Sequence, residues 1–85
     1  MYKTRRDFED IQGKFDWDVY RKYVIDNVIE GMRVRCLVDC YGASKGDRGV
    51  VTKMREVVGF CYIYADWEMS GQNVCVEVCN VDIVG

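Results

Sequence analysis

The sequence has 85 residues, of which 49% are hydrophobic and 31% charged, and its formal net charge is -2. This balance differs from the low hydrophobicity and high charge of disordered chains, and a chain this short supports only one small hydrophobic core. The composition therefore predicts a single folded domain, and the net charge gives no overall attraction to nucleic acid.

The sequence carries no sign of a membrane or secretory segment. No apolar run approaches the roughly 20 residues that a transmembrane helix needs, and the charged N-terminus lacks the apolar part of a secretory signal. We therefore expect a cytoplasmic protein without a membrane partner. Five cysteines, an odd number, indicate reduced thiols that serve as small apolar side chains, with a disulfide as the alternative.

The N-terminal segment differs from the rest of the chain in its pattern. Residues 1–15 mix charges with widely spaced apolar residues, and we treat them as an arm that precedes a single helix-plus-barrel domain at residues 16–85. Such an arm either packs on its own domain or anchors on a partner.

A helix is predicted over about residues 16 to 27. Asp16 suits the N-cap position, where a carboxylate accepts hydrogen bonds from unpaired amides, and Gly31 ends the segment. Apolar residues recur between them at spacings of three and four, which gives the helix one apolar face. The residues of that face are Trp17, Tyr20, Tyr23, Val24 and Val28.

From Met32 onward, apolar and polar residues alternate with the period of a half-buried strand. The alternation predicts strands at residues 32–39, 50–55, 57–67 and 73–79, followed by a short helical turn and a closing strand. Glycine-containing turns separate them and the chain has no proline. Because closure removes the exposed edges of a short sheet, we expect these strands to form a small antiparallel barrel.

The longest predicted strand carries a row of aromatic residues. If Asp66 faces water, Phe60, Tyr62 and Tyr64 lie on the same side, since alternate residues of a strand share a face. Either the helix covers this row or the row binds a partner, with two further aromatic residues near the barrel mouth. The predicted partner-binding residues are Tyr41, Phe60, Tyr62, Tyr64 and Trp67.

Basic residues are concentrated in the middle of the sequence. Residues 32–55 contain six basic and two acidic residues, whereas residues 56–85 contain five acidic residues and no Lys or Arg. The basic set is either an ordinary solvated face or a stripe that follows nucleic-acid phosphates beside tyrosines that stack on bases. Its members are Arg33, Arg35, Lys45, Arg48, Lys53 and Arg55.

The sequence offers little for catalysis or metal binding. It has no His, the commonest general base and metal ligand. The pairs Cys36 with Cys40 and Cys75 with Cys79 suggest a zinc site, but residues four apart on a strand are roughly 13 Å from each other, too far to share one ion. We expect no catalytic residue, no metal ligand and no cofactor.

Four segments resemble small SH3-like barrels of the KOW, Tudor and Mind-bomb kind, and the likeness covers about residues 28–84. The segments are Gly31-Met32-Arg33-Val34, Lys45-Gly46-Asp47-Arg48-Gly49-Val50-Val51, Asp66-Trp67-Glu68 running into Gly71, and Val81-Asp82-Ile83-Val84. The resemblance implies a non-catalytic module that binds protein segments or, in KOW members, RNA.

Together these observations predict an α+β, mainly β domain. It is expected to be a small SH3-like antiparallel barrel of four or five strands, with the N-terminal amphipathic helix packed on it. The expected function is that of a protein-interaction module or small regulator or inhibitor, such as a viral or phage accessory protein. The alternative is KOW-like binding of RNA, DNA or a ribonucleoprotein through the Arg33–Arg55 face.

Overall fold

The computed structural model describes residues 2–9, 14–39 and 42–85. Within these ranges one α-helix precedes five strands, so the prediction of a mainly β domain with an N-terminal helix is confirmed. The elements are α1 (Trp17–Asn27), β1 (Arg33–Cys36), β2 (Arg48–Val57), β3 (Phe60–Trp67), β4 (Gly71–Glu77) and β5 (Val81–Ile83). Two short 3-10 helices lie at Arg5–Phe8 and Val78–Asn80.

The five strands form one antiparallel sheet in the order β4-β3-β2-β1-β5. No ladder joins the edge strands β4 and β5 in the described ranges, so the sheet is open where a closed barrel is expected. The sheet must nevertheless be strongly curved. If it were flat, its two edge strands would lie about 19 Å apart. The three residues of the Val78–Asn80 helix connect β4 directly to β5, so the two edges must be closer than that.

Helix α1 begins where its sequence predicts. The Asp16 carboxylate accepts hydrogen bonds from the amides of Asp18 and Val19, at 3.0 and 3.2 Å. Tyr20 and Val24 are fully buried, and the Tyr20 hydroxyl donates to the carbonyl of Val81. The helix therefore packs against the Val78–Asn80 3-10 helix and reaches the start of the last strand through Tyr20. No helix in the part of the chain that the structure describes is long and apolar enough to cross a membrane.

The inward-facing residues of β1 and β3 are those that the alternation predicts. Val34, Cys36, Ile63 and Ala65 are buried, and they join the apolar side chains of α1 in one core. Cys79 is an exception. Alternation along the predicted strand 73–79, with Val74, Val76 and Val78 inward, places Cys79 on the outer face, but it is buried. The chain leaves β4 at Glu77 and enters a 3-10 helix, so the strand period no longer applies.

The described part of the arm packs on the domain. The Phe8 ring lies 5.1 Å from the Tyr20 ring, and the Arg5 amide donates a 2.7 Å hydrogen bond to the Asp82 carboxylate. Trp17, predicted on the buried face of α1, is 47% exposed and stacks edge-on against Phe15 instead. Residues 10–13 of the arm lie outside the described residues.

Candidate functional site

A β-bulge decides which side chains meet on the outer face of the sheet. Val51 pairs with Ala65 and Lys53 pairs with Tyr64, so Thr52 is an extra residue on β2. Without the bulge, strict alternation would place Lys53 on the same face as the buried Val51. The extra residue reverses the alternation and brings Lys53 to the face of Tyr64.

Beyond the bulge, basic residues of β2 lie beside aromatic residues of β3. Lys53 pairs with Tyr64 and Arg55 with Tyr62, and directly paired residues share a face of the sheet. The Lys53 ammonium lies 4.5 Å from the centroid of the Tyr64 ring, within the range of a cation-π contact. We name this surface the basic-aromatic face. It consists of Lys53, Arg55, Val57, Phe60, Tyr62 and Tyr64.

Helix α1 does not cover the aromatic row. Phe60 is 51% exposed, and Tyr62 and Tyr64 are half-buried. None of the three belongs to the core or to the apolar residues packed against it, because the helix lies on the opposite side of the sheet. Of the two interpretations of this row, burial under the helix is therefore wrong.

Trp67, another predicted partner-binding residue, does not join this face. Trp67 is only 4% exposed, and its indole N–H donates to the carbonyl of Val74 at 3.0 Å. It packs against Gly49, where an added Cβ would lie 2.8 Å from the indole ring. Trp67 thus belongs to the core. Tyr41 lies outside the described residues.

The arginines nearer the start of β2 have acidic neighbours. Arg33 and Arg48 line a hollow of about 300 Å³ whose wall also contains Asp66 and Glu68. Two cations and two carboxylates around one hollow leave no excess of positive charge there. On the basic-aromatic face, by contrast, Lys53 and Arg55 lie directly beside the aromatic row, and the carboxylate on the other side of Tyr62, that of Glu77, forms an ion pair with Arg21.

The remaining basic residues of the stripe are also dispersed. Arg35 forms an ion pair with Asp82 at 3.4 Å, which reduces its charge available to a ligand. Lys45 lies in the loop before β2, where its backbone amide donates to the Asp39 carboxylate at 2.8 Å. The six basic residues therefore do not form one continuous positive surface.

A buried carboxylate fixes the inner end of β2. Asp47 is 1% exposed and accepts hydrogen bonds from the Ser70 hydroxyl at 2.5 Å and from the Met69 and Arg48 amides. Burial raises the pKa of Asp47, but these donors outweigh burial and leave the pKa below its usual value. Asp47 thus holds the β3-β4 turn to the start of β2.

Two of the thiols in the described ranges are buried in a way that lowers their reactivity. Burial raises the pKa of Cys61 and of Cys79, which keeps both protonated and weakly nucleophilic. Cys75 is exposed, and Cys40 lies outside the described residues. Within the ranges that the structure covers, no group of three or more potential ligands is placed to hold a metal ion.

The sequence matches a known family over nearly its whole length. Residues 5–85 match the family described as mouse development and cellular proliferation protein Cullin-7. The chain belongs to this family. This membership refines the weaker likeness to SH3-like barrels, of which the structure supports the small antiparallel sheet but not closure.

Two curated relatives of this Cullin-7 family domain are large ligases. The E3 ubiquitin-protein ligase HERC2 is 33% identical in Mus musculus and 32% identical in Homo sapiens, over 85 residues in each case. Each alignment covers 99% of this chain and 2% of the relative. These relatives give no support to a viral or phage origin, or to a KOW-like role.

Proposed function

We propose that this Cullin-7 family domain is a non-catalytic module that binds a protein partner through its basic-aromatic face. The observation that carries the proposal is the arrangement of exposed Lys53 and Arg55 directly beside Tyr64 and Tyr62. Aromatic residues and arginine are the side chains most enriched at the centres of protein interfaces. On this domain they lie outside the core.

The relatives support a role in ubiquitin-related systems. Two of them are named as E3 ubiquitin-protein ligases, and this domain corresponds to 2% of their length. We therefore propose that the domain recruits a protein to a ligase of this kind, while the ligase reaction belongs to other parts of the relatives.

The charge distribution favours protein over nucleic acid. The basic-aromatic face contributes two cations, Lys53 and Arg55, and also carries Glu77 opposite Tyr62. Arg33 and Arg48 share their hollow with two carboxylates. Nucleic-acid binding gains most of its affinity from many phosphate contacts, and a chain of net charge -2 offers few.

The proposal is tested by capture of partners from cell extract on the immobilised domain. The extract is treated with nuclease and applied at low and moderate salt, and the retained proteins are quantified by mass spectrometry. Arg55→Glu reverses a charge in the middle of the face, and Lys22→Glu makes the same change at an exposed position of α1.

We expect the wild type and Lys22→Glu to retain the same proteins, with about tenfold less on Arg55→Glu, because a reversed charge at an interface weakens binding strongly. Equal retention by all three would contradict the proposal. Loss of every retained protein after nuclease treatment would favour the nucleic-acid alternative.

A further inference from the structure

The outer half of β2 has one unpaired edge. Strand β1 pairs with β2 at residues 48–50, and two further hydrogen bonds join the Gly31 amide to the Val51 carbonyl and the Val51 amide to the Met32 carbonyl. From Lys53 to Val57, β3 is the only strand that pairs with β2 among the described residues. All five of these residues are exposed.

The turn at the end of β2 identifies the backbone groups on this edge. Val58 and Gly59 both have positive φ, at 41° and 81°, which is typical of a type I′ hairpin turn. Such a turn makes Val57 and Phe60 a hydrogen-bonded pair, and hydrogen-bonded pairs alternate along an antiparallel ladder. The N–H and C=O groups of Met54 and Glu56 therefore point away from β3.

We propose that this edge accepts an extended segment of a protein partner as an added strand, with carboxylates two residues apart opposite Lys53 and Arg55. Added strands gain affinity from backbone hydrogen bonds and specificity from alternate side chains. The inference rests on the proposed function and deepens it, because it gives the partner a backbone conformation and a side-chain pattern.

Charge explains why the occupant is a different protein segment. Alternate residues face the same side, so a partner strand presents every second side chain to Lys53 and Arg55. Acidic side chains at those positions meet two cations. On its other face β2 presents Met54 and Glu56. Met54 suits an apolar side chain of the partner, and Glu56 suits an uncharged or basic one.

A second copy of this chain fits the edge poorly. Antiparallel self-pairing through Met54 and Glu56 places Lys53 opposite Arg55, Arg55 opposite Arg55, or Glu56 opposite Glu56 of the second copy. Like charges in direct cross-strand pairs are destabilising. Charged residues on an exposed strand also protect it from aggregation, yet they leave it open to a strand of opposite charge.

The inference is tested with a synthetic probe. The probe is a capped peptide of about eight residues in which glutamate alternates with valine, long enough to form one strand. It is titrated into the isotope-labelled domain, and binding is followed by NMR shifts and amide hydrogen exchange. We expect the Met54 and Glu56 amides to become protected on binding.

Proline substitution distinguishes binding to the backbone edge of β2 from binding to the side chains of the basic-aromatic face. Glu56→Pro removes the outward N–H but no bond to β3, and Glu56→Ala removes the same side chain while it keeps the N–H. We expect the peptide to bind Glu56→Pro about tenfold more weakly than Glu56→Ala, as loss of one backbone hydrogen bond predicts. Matching NMR spectra of the free variants verify that both remain folded.

Equal peptide binding by the two variants, or no binding to the wild type at millimolar peptide, would overturn the inference that the edge accepts an added strand. Either result would leave the capture experiment on the face unaffected. Conversely, a peptide that protects Met54 and Glu56, together with partner capture that is insensitive to Arg55→Glu, would refute the proposed function alone.

Discussion

Strand β2 behaves as two different structures joined by a bulge at Thr52. Its inner half, residues 48–51, pairs on both sides and alternates between exposed and buried positions. Its outer half, residues 53–57, pairs only with β3 and is exposed throughout. One strand thus both completes the core and extends beyond it as an exposed segment that pairs on one side only.

The two halves also differ in their side chains. The inner half has Gly49 against Trp67 and begins beside the buried Asp47, so its residues hold the sheet together. The outer half has Lys53 and Arg55 beside tyrosines. We therefore expect substitutions near the inner half to change stability and substitutions on the outer half to change binding.

The largest expected contrast lies between adjacent residues of β3 that face opposite sides. Ile63 is fully buried, so Ile63→Ala should lower the free energy of unfolding by about 4 kcal/mol through loss of packing and a cavity. Tyr62→Ala on the outer face should lower it by about 1 kcal/mol. Urea unfolding of both variants measures the difference, and equal losses would mean that the outer face is part of the core.

Asp47→Asn should destabilise the domain by about 3 kcal/mol at neutral pH, since an amide has one acceptor oxygen and would turn a donor towards Ser70 or Met69. Because the folded pKa of Asp47 is lowered, its stabilisation is present above the unfolded value of about 3.9 and is lost as pH falls through the folded pKa. The difference in free energy of unfolding between the wild type and Asp47→Asn should therefore become smaller in unfolding curves measured from pH 7 to pH 2. A constant difference would contradict the assigned role.

Val58→Asn should stabilise the domain by about 1 kcal/mol, because a β-branched residue at positive φ is strained whereas Asn tolerates that conformation. Val58 is 92% exposed, so no packing is lost. Thermal unfolding measures the gain. Val57→Asn at the neighbouring position of ordinary φ is the control, and it should give no gain.

The smallest expected effect on stability is that of Lys53→Gln, about 0.5 kcal/mol, which is the size of an exposed cation-π contact. The same variant should weaken capture of the partner severalfold. A change in stability without a change in binding would assign Lys53 to the fold and remove it from the basic-aromatic face.

Much of the architecture could be predicted because it depends on local pattern. The Asp16 cap, the inward residues of β3 and the helical turn before the last strand all follow from spacing along the chain. The aromatic row was correctly placed on the side of Asp66, since one charged residue fixes the register of a strand.

The remaining features depend on pairing between distant segments. The bulge at Thr52 is defined by how β2 opposes Tyr64, and the length of β2 beyond β1 is defined by the Val58-Gly59 turn. The Val58-Gly59 pair is a weak turn signal, so the sequence predicts that this strand ends at Arg55. The alternation of β3 places Trp67 on the inner face, but its contact with Gly49 joins residues far apart in sequence and is not indicated by any local pattern.

Amide hydrogen exchange of the free domain tests most directly whether the outer half of β2 is an open edge. The account predicts fast exchange at Met54 and Glu56 and slower exchange at Arg55 and Val57, whose amides bond to β3. Protection of Met54 and Glu56 in the free protein, to the level of their neighbours, would mean that something already covers this edge and would contradict the account.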